Sequence, residues 1–331
     1  MHYVGLDIGT NYTKATANGE DVIIFPSLVV YGEEKEWSLK GEERDVYVGE
    51  DAAYMAQSME NVEVLRPLHE GRLMHESYIE LARHALKLLG VDDGKIIATG
   101  LPVKSSKKER AELVAELKNA LNCEVLLLPQ PVGTLAYMNI STGVCIDIGF
   151  GTTDTIVLAD MEYLKGDTLL VGVDKIYENM EMIVRNKFGI SITPEEMTML
   201  LSDESYEVGR VRGGRRISVK REDIFEEYSE NMKSWVERIV NRVNLLLEGL
   251  SITLVENIVL TGGGAKLPGV FEEFSEHFKD IGEIKIPDDP VTANAKGFYK
   301  LAKLFTEEKT EKKEEKEKKE EEKKEKKSKK K

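Results

Sequence analysis

Read by its alternation of apolar and polar positions, the chain opens with three short strand-like runs, Val4 to Ile8, Lys14 to Ala17 and Val22 to Phe25. The turn-forming triplets GTN and NGE separate them, which predicts a three-strand meander. A polar, turn-rich stretch from Gly32 to Gly49 follows, then a helical period from Tyr78 to Leu89 and a short apolar strand from Ile96 to Gly100. Ser106 and Glu109 make a capping box that opens a helix reaching about Leu121, and a strand from Val125 to Leu128 comes next. The pattern then begins again. Val144 to Ile148, Thr155 to Leu158 and Thr168 to Val171 predict a second meander, followed by a helix from Ile176 to Phe188. Thr193, Pro194 and Glu196 mark another capped helix start. The RGGR tip of the segment from Arg210 to Arg221 predicts a hairpin leading into a long helix through Trp235, Ile239, Val243 and Leu246. A strand at Ile258 to Thr261, a helix from Pro268, a strand at Ile284 to Ile286 and a last helix from Thr292 to Phe305 complete the body. Two halves with one element order indicate a duplicated α/β unit, and ligands of such folds sit between the halves.

Each half carries a glycine turn directly after its first strand, and the two turns echo one another. The first reads Asp7-Ile8-Gly9-Thr10-Asn11-Tyr12-Thr13-Lys14, the second Asp147-Ile148-Gly149-Phe150-Gly151-Thr152-Thr153-Asp154. Glycine and small hydroxyl residues let backbone N–H groups close around phosphate oxygens, and Lys14 adds a positive charge. Two such turns face to face would clamp a polyphosphate, with the strand-end carboxylates of Asp7 and Asp147 aimed at one point. Paired carboxylates beside phosphates call for a cation, and Mg2+ suits them because it keeps its waters and accepts few carboxylates. A third turn, Thr261-Gly262-Gly263-Gly264-Ala265-Lys266, has no carboxylate, and its glycines leave room for a flat base. No GxxxxGK[ST] run is present, which excludes a P-loop. The dinucleotide fingerprint lacks its last glycine, because Asp154 stands there.

Composition narrows the picture further. With 331 residues, 41% of them hydrophobic, the chain can bury two ordinary cores. Its two cysteines, Cys123 and Cys145, lie in apolar runs without CxxC spacing, so neither a disulfide framework nor a zinc ribbon is expected. The five histidines are scattered, with no ligand spacing among them. Asp7 interrupts the stretch where a secretion signal would be apolar and no run reaches the length of a membrane span, so a cytoplasmic protein is expected. The net charge of -14 is uneven: from Glu307 on, 13 Lys stand against 10 Glu, a net +3, leaving -17 on the first 306 residues. So acidic a body argues against direct nucleic-acid binding. The Glu/Lys tail has no apolar stripe, so it is expected to be disordered or a lone solvated helix whose Lys-rich end could touch an anionic surface.

At the quoted turns the chain resembles the actin-like ATPase superfamily, which includes actin, heat-shock chaperones and sugar kinases. The resemblance runs through GLDIGTNYTK and CIDIGFGTTD as phosphate motifs, IVLTGGGAKLPG as the adenosine motif, and LPQPVGTLAY and DDPVTANAKGFYKLA as connecting segments. It covers nearly all of residues 1 to 305, and FPSLV and ANAKGF are most similar to ParM-type plasmid-partitioning proteins and archaeal actin homologues. It implies an α/β fold of two duplicated RNase H-like lobes around a nucleotide cleft, each with a small inserted subdomain. Lobe I would take residues 1–142 and 291–306, with its insert at about 26–66; lobe II would take 143–290, with its insert at about 175–254; residues 307–331 form the tail.

The resemblance also assigns roles by position. Asp7 and Asp147 would hold Mg2+, largely through water, while Gly9, Thr10, Asn11, Lys14, Gly149, Gly151, Thr152 and Thr153 would surround the phosphates of ATP or ADP. Gly262, Gly263, Gly264 and Lys266 would border the adenosine. Gln130 lies 17 residues before Asp147, the spacing of the water-positioning glutamine of eukaryotic actins, and with Asp7 and Asp147 it makes up the catalytic set. Glu196 takes the place of an acidic ribose contact, although the capping box with Thr193 explains it equally well.

The implied function is a slow ATP hydrolase coupled to assembly of the protein with itself into nucleotide-dependent filaments, cytoskeletal or DNA-segregating, with a cargo adaptor or DNA-bound adaptor protein as a further partner. A membrane or divisome adaptor of the FtsA or PilM kind and a small-molecule kinase of the same fold are the alternatives. The arginine segment, Arg210, Arg212, Arg215, Arg216, Lys220 and Arg221, suggests either pairing with the acidic body of a neighbour or a solvated hairpin.

Overall fold

In the computed structural model, which describes residues 1–32, 45–58, 62–69 and 72–307, the two meanders open two five-stranded sheets of one topology. The first sheet runs in the order Cys123–Pro129, Lys95–Leu101, His2–Ile8, Tyr12–Thr16, Ile23–Pro26. The second runs Glu283–Lys285, Asn257–Thr261, Gly143–Ile148, Thr153–Ala159, Glu162–Leu169. In each, the central strand has a parallel neighbour on one side and an antiparallel one on the other. Connections diverge at the C-terminal end of such a strand, and a ligand crevice opens there.

Both faces of the central strands are covered, which is why they read as continuous apolar runs rather than as an alternation. In the second sheet Val144 and Ile146 enter a large core with Met180, Tyr228, Val236 and Phe274, while Cys145 packs with Val132 and Leu135 of the helix Gln130–Tyr137. In the first sheet Val4, Leu6 and Ile97 pack with Tyr78, Leu81, Leu113 and Leu117; Ile96 and Ala98 meet Phe298 and Ala302 on the last helical segment, residues 293–307. These two helical segments cross at glycines. A Cβ on Gly297 would lie 1.7 Å from the Gly133 carbonyl oxygen, so no larger residue fits without moving a backbone.

Small additions flank the sheets. Val29–Tyr31 pairs with Val46–Val48 and Glu63–Leu65, beside the helix Glu50–Ser58. On the other half, the helix Pro194–Ser202 and the hairpin Glu207–Arg212/Arg215–Lys220 precede the long helix Phe225–Leu247. The RGGR expectation holds, with Gly213 and Gly214 both at positive φ. Both expected capping boxes form, at Ser106/Glu109 and Thr193/Glu196.

Three elements begin three or more residues away from expectation, the helix expected from Ile176 starting at Val173 among them. The third strand of the second meander is Glu162–Leu169, not Thr168 to Val171. It is an edge strand with Tyr163 and Leu164 exposed, so its pattern carries no buried alternation to read. The helix expected from Tyr78 starts at His75, because Met74 caps it without a side-chain hydrogen bond and leaves no sequence signal. Most of the polar stretch from Gly32 to Gly49, and the tail beyond residue 307, lie outside the described residues.

Candidate functional site

The two central strands end at one cleft, a cavity of about 470 Å³ lined from both halves. Their glycine turns are built alike: the Gly9 N–H donates to the Tyr12 carbonyl at 3.1 Å, and the Gly149 N–H to the Thr152 carbonyl at 2.8 Å. They also face each other, since a Cβ on Gly151 would lie 3.5 Å from Thr10 Oγ1. The third turn lies against the second, and a side chain on Gly262, at φ +85°, would collide with the Ile148 carbonyl and with Asp147 Oδ1.

The duplication is broken at one matched pair. Lys14 stands opposite Asp7 in the first hairpin, and Asp154 stands opposite Asp147 in the second. Lys14 Nζ donates to Asp7 Oδ2 at 3.3 Å. Asp154 instead accepts from the Val103 backbone N–H of the other half at 2.8 Å and from Thr168 and Thr152, so it ties the second hairpin to the loop after Leu101. Burial pushes the Asp154 carboxyl above its ordinary range, opposed by these three donors.

Asp7 and Asp147 form the floor of the cleft. Gln130 Nε2 donates to Asp7 Oδ1 at 3.3 Å and to the Ile8 carbonyl at 3.4 Å. Asn294 Nδ2 donates to Asp147 Oδ2 at 2.7 Å. Its Oδ1 accepts from the Thr134 N–H at 3.0 Å and from Thr134 Oγ1 at 2.8 Å, fixing which way the amide points. Burial raises the Asp147 carboxyl to about 7, aided by the charge of Asp7 and opposed by the Asn294 hydrogen bond. A buried carboxyl set beside a second carboxylate invites a divalent cation. Mg2+ needs only one or two carboxylates beside water and substrate phosphates, so this donor set fits it.

Of the residues expected at the site, Asp7, Gly9, Thr10, Asn11, Lys14, Gln130, Asp147, Gly149, Thr152, Gly262, Gly263 and Lys266 line the cavity. Four do not. Gly151 backs onto Thr10; Thr153 is buried and donates to the Val171 carbonyl at 2.7 Å; Gly264 packs on the Ile148 side chain. Glu196 caps its helix through the Thr193 N–H at 3.0 Å and pairs with Arg210 at 2.6 Å, while its neighbour Glu195 lines the cavity. Sequence reasoning missed Asn294, although it lies in the quoted ANAKG run. It also missed the apolar part of the lining, Val173, Tyr177, Met199 and Leu267.

The model of the MreB/Mbl protein family matches residues 1–310. The chain belongs to that family. It is 24% identical to the cell shape-determining protein MreB of Escherichia coli K12 over 326 residues, covering 89% of this chain and 91% of that one. Among solved structures it is similar to MreB 5 of Spiroplasma citri bound to AMPPNP (TM-score 0.75, 19% identity, 94% of this chain and 98% of that one). The archaeal actin homologue Ta0583 is comparably similar (0.71, 24%, 92% and 100%), as is MamK in a double helical filament (0.72, 19%, 91% and 98%). The fold is therefore that of the actin-like ATPases, with two duplicated lobes. The plasmid-partitioning subgroup finds no support in these relatives. Among the described residues no helix is long and apolar enough to cross a membrane.

Proposed function

We propose that the protein binds Mg-ATP between its lobes, hydrolyses it slowly and assembles head to tail into nucleotide-dependent cytoskeletal filaments in the cytoplasm. The observation that carries this reading is the pair of strand-end carboxylates, Asp7 and Asp147, set beside two facing glycine turns in one cleft. AMPPNP in the Spiroplasma citri protein and the double helical filament of MamK support the nucleotide and the assembly.

Asp7 and Asp147 would hold the hydrated Mg2+, which when bound supplies charge neutralisation at the phosphates. The backbone N–H groups of the two glycine turns and Lys14 bind phosphate oxygens. Gly262, Gly263 and Lys266 border the nucleoside, with Tyr177 and Met199 against the base. Gln130 directs both of its donor contacts to Asp7 and Ile8, which leaves its amide oxygen to accept from a water in line with the terminal phosphate. An amide orients rather than deprotonates, which suits a loose phosphoryl-transfer transition state. The test is calorimetric titration with ATP and ADP in Mg2+ alongside phosphate release. Binding that is lost in Asp147→Ala supports the reading, and a wild-type protein that binds neither nucleotide sinks it.

A further inference from the structure

Among the described residues Arg66 has no carboxylate partner, in a chain where 60 acidic residues face 46 basic ones. It follows the strand Glu63–Leu65 of the small sheet on the first lobe, and its backbone is firmly held. The Arg66 carbonyl accepts from the hydroxyl of buried Ser77 at 3.0 Å, and the next carbonyl, of Pro67, accepts from the Met74 N–H at 2.8 Å. From that anchor the guanidinium reaches the first glycine turn, where Nη1 donates to the Thr10 carbonyl at 3.3 Å and to Asn11 Oδ1 at 3.2 Å. Both contacts use one nitrogen, while the group carries five donors in a rigid fork matched to phosphate.

The charge balance of the cleft gives this placement a purpose. The cations lining the cavity are Lys14, already bonded to Asp7, and Lys266, on the third turn. A triphosphate would bring several negative charges beside Asp7 and Asp147, with a single partly neutralised ammonium on the first phosphate turn. The Arg66 guanidinium touches this turn from just outside the cavity lining and adds a second positive charge beside it.

We propose that Arg66 binds the terminal phosphate of a nucleoside triphosphate, so that the small insert of the first lobe distinguishes triphosphate from diphosphate. The inference rests on the proposed Mg-nucleotide site and adds to it a residue from outside the glycine turns. A plain structural brace of the turn would weaken both nucleotides alike; a terminal-phosphate contact weakens one.

The experiment is calorimetric titration of wild-type protein, Arg66→Ala and Arg66→Lys with ATP and with ADP, each with Mg2+, with thermal unfolding to verify folding. Loss of one charge-assisted fork should lower ATP affinity about tenfold or more in Arg66→Ala. ADP affinity should stay within about twofold, and Arg66→Lys should fall between, as a point charge without the fork. Equal losses for ATP and ADP, or none, overturn the inference and leave the nucleotide site standing. Wild-type protein that binds neither nucleotide removes both.

Discussion

Asp147 offers a stability measurement that needs no nucleotide. Its carboxyl is raised to about 7 by burial first and by the charge of Asp7 second, against an ordinary value of 3.8. A folded-state value above the unfolded one means that the folded protein binds this proton more tightly. The carboxylate therefore destabilises the fold above pH 7, and that penalty disappears as the pH falls through 7 towards 4. Between pH 8 and pH 6 the unfolded carboxyl stays ionised while the folded one takes up its proton, so the group adds on the order of 1 kcal/mol of stability over those two pH units. Asp147→Asn removes the titration and keeps the shape. In EDTA, the stability of this variant relative to wild type should drop by on the order of 1 kcal/mol between pH 8 and pH 6. Urea unfolding at pH 8, 7 and 6 measures it, because the other titrating groups are shared and cancel in the difference. Parallel pH profiles for the two proteins, within about 0.5 kcal/mol, would refute the buried, carboxylate-facing environment assigned to Asp147.

Other perturbations follow from the same geometry. Asn294→Ala strips two acceptor contacts from buried Thr134 and one donor from Asp147, so thermal unfolding should show a loss of about 1–3 kcal/mol and calorimetry weaker Mg-nucleotide binding. Gly297→Ala forces a Cβ onto the Gly133 carbonyl and should destabilise by about 3 kcal/mol or more, whereas Gly263→Ala, with open space around it, should leave the melting temperature unchanged. Gln130→Ala should slow phosphate release about tenfold or more at nearly unchanged ATP affinity; equal turnover would reject its role. Val211→Asp with Arg215→Glu at the exposed hairpin tip should abolish sedimentable filaments and spare nucleotide binding, and intact filaments would exclude the tip from the assembly contact.

The frame was legible because duplication left a visible echo: DIG across the end of each first strand, with the same internal hydrogen bond in each turn. What escaped sequence reading depends on partners far along the chain. Asn294 meets Thr134 across 160 residues and Asp147 across 147, and no local period announces either contact. Glu195 and Glu196 are neighbours, yet consecutive helical residues point about 100° apart, so one lines the cleft and the other caps the helix. The sequence left the arginine segment as either a solvated hairpin or a surface for the acidic body of a neighbour. Instead Arg210 pairs with Glu196, Arg216 with Glu207 and Arg221 with Glu204, while Arg212 donates to the Gly189 carbonyl. Most of its charge is therefore satisfied within the chain, and a neighbour would meet chiefly Val211 and Arg215. The strands of the small sheet on the first lobe are three residues each, too short to set a period of two.

The most direct test is sedimentation with negative-stain imaging of the purified protein in Mg2+ with ATP, with ADP and without nucleotide, alongside phosphate release. Filaments that form with ATP, release phosphate as they age and fail to form in Asp147→Ala are the expected result. Protein that stays monomeric in ATP, or that assembles equally without nucleotide, would contradict a filament governed by the cleft.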